Sequence, residues 1–104
     1  MTKITFKVND AKTSVSGASL KGWVLTTYDG LCEILGPAKG GSADGKTTAE
    51  WVLEGSDGTV ALIYDWKTSS TPKDFYEWHI GGHTSKALEL VGNILKLDTK
   101  KFRI

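Results

Sequence analysis

The sequence predicts an α+β fold, an antiparallel sheet whose central β-meander packs against two helices in the order ββαβββα, and three features carry that prediction. Two strand-like runs, Thr48 to Gly55 and Thr59 to Lys67, meet at Asp57-Gly58, the dipeptide that a two-residue type I′ hairpin turn favours. Tyr76, Trp78 and Ile80 then alternate with Glu77 and His79, adding a third strand that ends at Gly81-Gly82. Ala87, Leu88, Val91, Ile94 and Leu95 recur at helical spacing, so a helix from Thr84 or Ser85 to Lys96 can cover the apolar side of those strands.

The other elements follow in chain order. Ile4, Phe6 and Val8 alternate with Thr5 and Lys7 as a half-buried strand closed by the turn residues Asn9-Asp10. Ser19 to Thr26 is a second strand, after which Thr27 N-caps a short helix, Tyr28 to Leu35, that stops at Gly36-Pro37. The glycine-rich stretch from Ala38 to Lys46 reads as a flexible surface loop. A two-residue turn sets the hairpin register, with Leu53 opposite Leu62, Trp51 opposite Tyr64 and Ala49 opposite Trp66 on the face toward the long helix. Val52 opposite Ile63, Glu50 opposite Asp65 and Thr48 opposite Lys67 then occupy the other face. The tail from Thr99 to Ile104 offers one more strand.

A chain of 104 residues, 39% hydrophobic and with 12 Gly and 2 Pro, has the composition of one globular domain spanning 1–104. Thirteen basic against twelve acidic residues leave a net charge of +1, which argues against general nucleic-acid binding and polybasic membrane attachment. Cys32 is the only cysteine, so no intramolecular disulfide or multi-cysteine zinc site can form, and it reads as a small buried residue rather than a nucleophile. No apolar run has the length of a signal peptide or a membrane span, and the expectation is a soluble, cytoplasmic protein.

Four places invite chemistry. Gly40, Gly45, Lys46 and Thr47 match the phosphate-loop pattern GxxxxGK[ST], but a strand rather than a helix follows, so the reading is a connection whose Lys46 can still reach an anion. Gly81-Gly82-His83-Thr84 lies between a strand end and a helix start. There, backbone amides can hold an anion with His83 beside it, or two glycines simply make the turn while Thr84 caps the helix. Glu50 opposite Asp65, with Lys67, Glu77 and His79 nearby, is either a metal or proton-sharing site or a solvated charged face. Trp51, Trp66 and Trp78 read as core under the long helix rather than as a base-stacking platform, while Trp23 is free to line a pocket. Lys96, Lys100, Lys101 and Arg103 form a modest basic tail that reads as a solvated end. No cofactor, metal or catalytic residue is assigned.

The run Asp57-Gly58-Thr59 through Ile63-Tyr64-Asp65-Trp66-Lys67, then Trp78-His79-Ile80-Gly81-Gly82 and a closing helix, resembles a family of small uncharacterised tailed-bacteriophage proteins carrying a DGTxxxIYDWK…WHIGG pattern. The resemblance covers roughly Leu25 to Leu95 and brings no established activity with it. It implies an accessory protein of the host-cell cytoplasm that opposes host defence by binding rather than catalysis. The expectation is a small module that sequesters a host immune nucleotide signal. Gly81, Gly82, His83 and Thr84 would take phosphate, Lys46 and Lys67 would supply charge, Tyr64, Trp66 and Trp78 would stack on bases, and Asp65 and His79 complete the pattern. A homo-oligomer joined through Val52 and Ile63 would help a small chain enclose its ligand. Two alternatives stand beside it: a protein inhibitor docking on a host defence effector, and a small phosphodiesterase-like hydrolase using His79 or His83 with Asp65 or Glu50.

Overall fold

The computed structural model describes residues 5–102 of the chain; Ile4 of the first expected strand, and Arg103 and Ile104 of the tail, lie outside the described residues. Strands β1 (Phe6–Val8) and β2 (Ser19–Thr26) precede helix α1 (Tyr28–Leu35). Strands β3 (Lys39–Gly40), β4 (Ala49–Gly55), β5 (Val60–Tyr64) and β6 (Tyr76–Gly82) lead to helix α2 (Lys86–Leu95) and a last strand, β7 (Thr99–Lys101). All pairings are antiparallel in the order β1-β4-β5-β6-β2-β7, with β3 sharing the outer edge of β4 with β1. This is the expected α+β fold built on a meander, enlarged by the two-residue β3 and by β7.

Both helices lie on one face of the sheet. Alternate residues of four strands point to that face and are buried there: Trp51 and Leu53, Ala61 and Ile63, Trp78 and Ile80, and Val24. Each of the larger aliphatic side chains among them contributes about 1.5–3 kcal/mol through the apolar surface it withdraws from water. Helix α1 adds Leu31 and Leu35 and lays Tyr28 against Trp51 and Trp78, at 5.8 and 6.4 Å between ring centroids. Its ends are those the sequence marks, since Thr27 Oγ1 accepts from Gly30 N at 3.0 Å and Gly36, at φ +85°, donates to Cys32 O at 2.8 Å. Helix α2 adds Ala87, Leu88, Leu90, Val91 and Leu95. Among the described residues no helix is long and apolar enough to cross a membrane.

The hairpin turn is longer than its sequence implies, and the register changes with it. Gly55 N donates to Thr59 O at 2.8 Å and Gly58 N to Gly55 O at 2.9 Å, which leaves three residues, Ser56, Asp57 and Gly58, outside the ladder. Only Gly58 has a positive φ, +88°, whereas a type I′ turn requires one at both central residues. Pairing therefore runs Glu50 to Tyr64, Trp51 to Ile63, Val52 to Leu62 and Leu53 to Ala61, one residue away from the expected register. Because side chains alternate with a period of two, that step moves the whole of β5 to the opposite face.

Four expectations are corrected by it. Tyr64 is on the uncovered face rather than under a helix, and Ile63 is in the core. Trp66, outside the ladder altogether, is 42% exposed. Glu50 faces Tyr64 and never meets Asp65 across the strands. Val52 and Ile63 are both buried and offer no contact surface for a second copy.

Gly82 shows how closely the α2 end of the sheet is packed. A β-carbon built there would stand 2.5 Å from Ala87 Cβ and 3.0 Å from Val60 O, atoms that cannot swing aside as a long side chain does. Gly82→Ala is therefore expected to cost about 1–3 kcal/mol, read as a lower urea midpoint with an unchanged slope. A cost below a few tenths of a kcal/mol would mean that α2 rides freely on the sheet.

Candidate functional site

The face away from the helices is a cross-strand row, Lys39, Glu50, Tyr64, His79, Trp23 and Lys100, set by the pairing of β3, β4, β5, β6, β2 and β7. Tyr64 and His79 are tilted against each other at 5.4 Å, and Trp23 meets His79 edge-on at 6.2 Å. Burial pushes the His79 imidazole below its ordinary pKa, although Asp65 and Glu77 pull it upward, and its Nδ1 is buried with no hydrogen-bond partner among the described residues. Burial first, then the charge of Glu50, raises the Tyr64 phenol, so it stays protonated well above neutral pH.

Two loops rise from this face. The segment between β1 and β2 crosses one side, held by Thr13 Oγ1 donating to Glu54 Oε1 at 2.7 Å and by a 2.9 Å bond between His83 Nε2 and Ser16 O. The glycine-rich loop stands on the other side and is closed on itself, not an open flexible connection. Ser42 N donates to Thr47 Oγ1 at 2.8 Å, Thr47 N to Ser42 Oγ at 3.1 Å and Lys46 N to Asp44 Oδ1 at 3.1 Å. The amides of Ser42, Gly45, Lys46 and Thr47 are spent within the loop, and a strand rather than a helix follows it, so it does not cradle a phosphate in the manner of a phosphate loop.

Between the loops lies a cleft of about 330 Å³, at the small end of the range that takes small molecules. Leu62, Tyr64, Gly81 and Glu50 form its floor, Val15 and Ala18 one wall, and Lys46 and Trp66 part of the other. Trp66 stands edge-on to Tyr64 at 6.3 Å, and the ammonium groups of Lys46 and Lys67 each sit 5.8 Å from its ring centroid. That convergence is built into the backbone, because Lys67, at φ +54°, adopts the left-handed conformation uncommon for a side-chain-bearing residue and its N–H donates to Lys46 O at 2.6 Å. Lys46 has Asp44 at 3.8 Å, whereas Lys67 has no acidic partner within 4 Å among the described residues.

Asp65 supports the site from below. It is fully buried, one residue past β5, and accepts from Thr48 N at 2.7 Å, Thr48 Oγ1 at 2.5 Å, Ala49 N at 3.2 Å and Thr68 Oγ1 at 2.6 Å. Burial alone would raise its pKa, but the bonds from Thr48, Thr68 and Ala49 together hold it below the ordinary carboxylate value. The carboxylate thus clips the start of β4 to the turn that carries Trp66 and Lys67.

Of the residues singled out in sequence, Lys46, Tyr64, Trp66 and Gly81 line the cleft, Lys67 reaches its Trp66 wall, and Asp65 braces it. His79 backs Tyr64 without lining the cleft. Trp78 is wholly in the core and Gly82 packs on α2. His83 is spent on Ser16, Thr84 Oγ1 accepts from Lys86 N at 3.2 Å, and Gly81 and Gly82 pair with strands on both sides, so these four do not converge on a common point. No hydrogen bond joins an imidazole to a carboxylate, and no group of three or more His, Cys, Asp or Glu comes together to hold a metal, among the described residues. A larger depression of about 870 Å³ beside α2 is lined by charges of both signs such as Asp57, Lys86, Glu89 and Lys96, without an aromatic group.

Val15, Ala18 and Ser42 are cleft residues that the sequence does not announce, and Thr47 is one that it marks only through the phosphate-loop pattern. They lie in irregular segments, the first held by bonds to distant residues and the second closed on itself, so periodicity carries no trace of them. No family model, curated protein or solved structure matches the chain.

Proposed function

We propose that this chain is a small nucleotide-binding module that holds its ligand without converting it. The observation that carries the reading is Trp66, a 42% exposed indole at the cleft wall with two lysine ammonium groups 5.8 Å from its ring centroid. An aromatic face stacks on any nucleobase, and two ammonium groups around one indole, of which one lacks a counter-charge among the described residues, favour an anion, the combination a nucleoside phosphate presents. The volume accepts one nucleoside, so the remainder of a larger nucleotide would extend past the lysines. Its resemblance to small tailed-phage proteins adds the biological reading, a sink for a host immune nucleotide signal. Exposed Phe75 and Leu25 favour a second reading, docking on a host protein.

Thermal unfolding with a panel of nucleoside monophosphates, cyclic dinucleotides and cyclic trinucleotides tests the proposal. A ligand at about 100 times its dissociation constant adds about 2.7 kcal/mol, enough to raise the midpoint of a domain this size by about ten degrees. Recovery of the ligand intact separates a sink from an enzyme. Trp66→Ala should weaken binding by about tenfold or more, the worth of one stacked base, with little change in the stability of the free protein because the indole is exposed. A panel that leaves the midpoint unmoved overturns the nucleotide reading and favours the protein partner.

A further inference from the structure

Glu50 is the carboxylate on the cleft floor, with one oxygen bonded within the fold and one left for a further donor. It belongs to β4, faces Tyr64 across the ladder and is half-buried. Thr47 Oγ1 donates to its Oε2 at 2.6 Å, while Oε1 has no hydrogen-bond partner and no cation stands within 4 Å of the carboxylate, among the described residues. Lys39 is its neighbour on β3, yet the two do not pair. The other cleft carboxylate, Asp44, is satisfied by Ser42 Oγ, Lys46 N and the Lys46 ammonium. What Glu50 lacks is a donor, and it lacks one beside the aromatic rings on which a base would lie.

Resting on the nucleotide reading above, we infer that Glu50 is a specificity-determining residue and that the cleft selects guanine nucleotides. A carboxylate only accepts. Guanine presents two adjacent donors, N1–H and the N2 amino group, along the edge it turns away from the sugar. Hypoxanthine presents only the first. Adenine offers its N6 amino group beside N1, an acceptor whose lone pair faces a carboxylate unfavourably, and cytosine pairs an amino group with an acceptor in the same way. With its base against the exposed part of the Trp66 indole, a guanine can bring both donors to Glu50 while its phosphate meets Lys46 and Lys67. A bidentate contact of this kind discriminates between bases by about tenfold to a hundredfold, and a site left with an unpaired carboxylate rejects the wrong base for the same reason.

The test is titration of the intact protein with GMP, IMP, AMP, CMP and UMP, followed by tryptophan fluorescence and calorimetry. Cyclic di-GMP is set against cyclic di-AMP so that a requirement for a second base does not mask the contrast. The expected order is GMP, then IMP, then AMP, with GMP at least tenfold tighter than AMP. Glu50→Gln should narrow the GMP-to-AMP ratio to below threefold or invert it, because glutamine adds a donor opposite adenine N1, whereas Trp66→Ala should weaken both nucleotides together. Should Glu50→Gln not fold, the order of GMP, IMP and AMP on the native protein decides the matter. Equal affinity for guanine and adenine nucleotides, or a preference that survives Glu50→Gln, overturns the assignment of Glu50 and leaves nucleotide binding standing. Binding of none of them overturns both.

Discussion

Asp65→Ala is expected to remove about 3–5 kcal/mol of stability, the cost of breaking a buried, fully hydrogen-bonded charge site. The carboxylate has no exposed surface and takes four donors from Thr48, Ala49 and Thr68. Its loss strands the backbone amides of Thr48 and Ala49, and an alanine methyl cannot replace either bond. For a domain whose total stability is about 5–15 kcal/mol, such a variant stands close to unfolding at ambient temperature. Urea unfolding followed by tryptophan fluorescence measures it, and a loss below about 1 kcal/mol would mean that Thr48 and Thr68 find other acceptors.

The same carboxylate sets part of the acid stability. Because its hydrogen bonds hold the folded pKa below the unfolded value, its contribution is present in full above the unfolded pKa and fades as pH falls through the folded one. Exposed Asp44 and Asp57 are also held low, by Ser42 and Thr59 chiefly, and act in the same direction. Comparing wild type with Asp65→Asn isolates the buried group, and the gap between their stabilities should be constant near neutrality and close below pH of about 4. The clip also places Trp66 and Lys67, so the asparagine variant should bind nucleotide more weakly than wild type even where it remains folded.

Local chemistry is where the sequence speaks most plainly, and helix α1 is the clearest instance. Thr27 and Gly36 bound it at the residues their types predict, because a cap is satisfied within one turn of chain. The hairpin was legible as a hairpin but not in register. Asp57-Gly58 serves a two-residue turn and a three-residue one with Gly58 in the left-handed position alike, and the choice is made by how Trp51, Leu53 and Ile63 pack under the helices. That single step decides whether Tyr64 and Trp66 are core or site. The cleft was legible only in part for a related reason: its floor comes from one alternating face, but its walls depend on Thr13 reaching Glu54, Ser16 reaching His83 and Ser42 reaching Thr47. The first of these bonds spans 41 residues and leaves no pattern in the chain.

Trp51→Ala should cost about 3–5 kcal/mol, as truncation of a buried tryptophan does when its surroundings relax only partly. Trp51 is fully buried and edge-on to Trp78 at 5.6 Å, with the ring of Tyr28 on its other contact at 5.8 Å. Its Nε1–H donates to Gly36 O at 3.0 Å, so it also fixes the end of α1 and the start of the chain that runs through β3 into the cleft loop. Trp51→Phe shifts the balance between the two roles, since it keeps an aromatic ring in the core but loses the hydrogen bond, worth about 1 kcal/mol plus the penalty of an unanswered carbonyl, together with part of the packing. If packing dominates, the phenylalanine variant recovers more than half of the alanine loss in urea unfolding. If it recovers less, the bond to Gly36 is the larger effect, and the cleft loop should then lose order with it, seen as faster amide exchange at Ser42 and Thr47 than in the wild type.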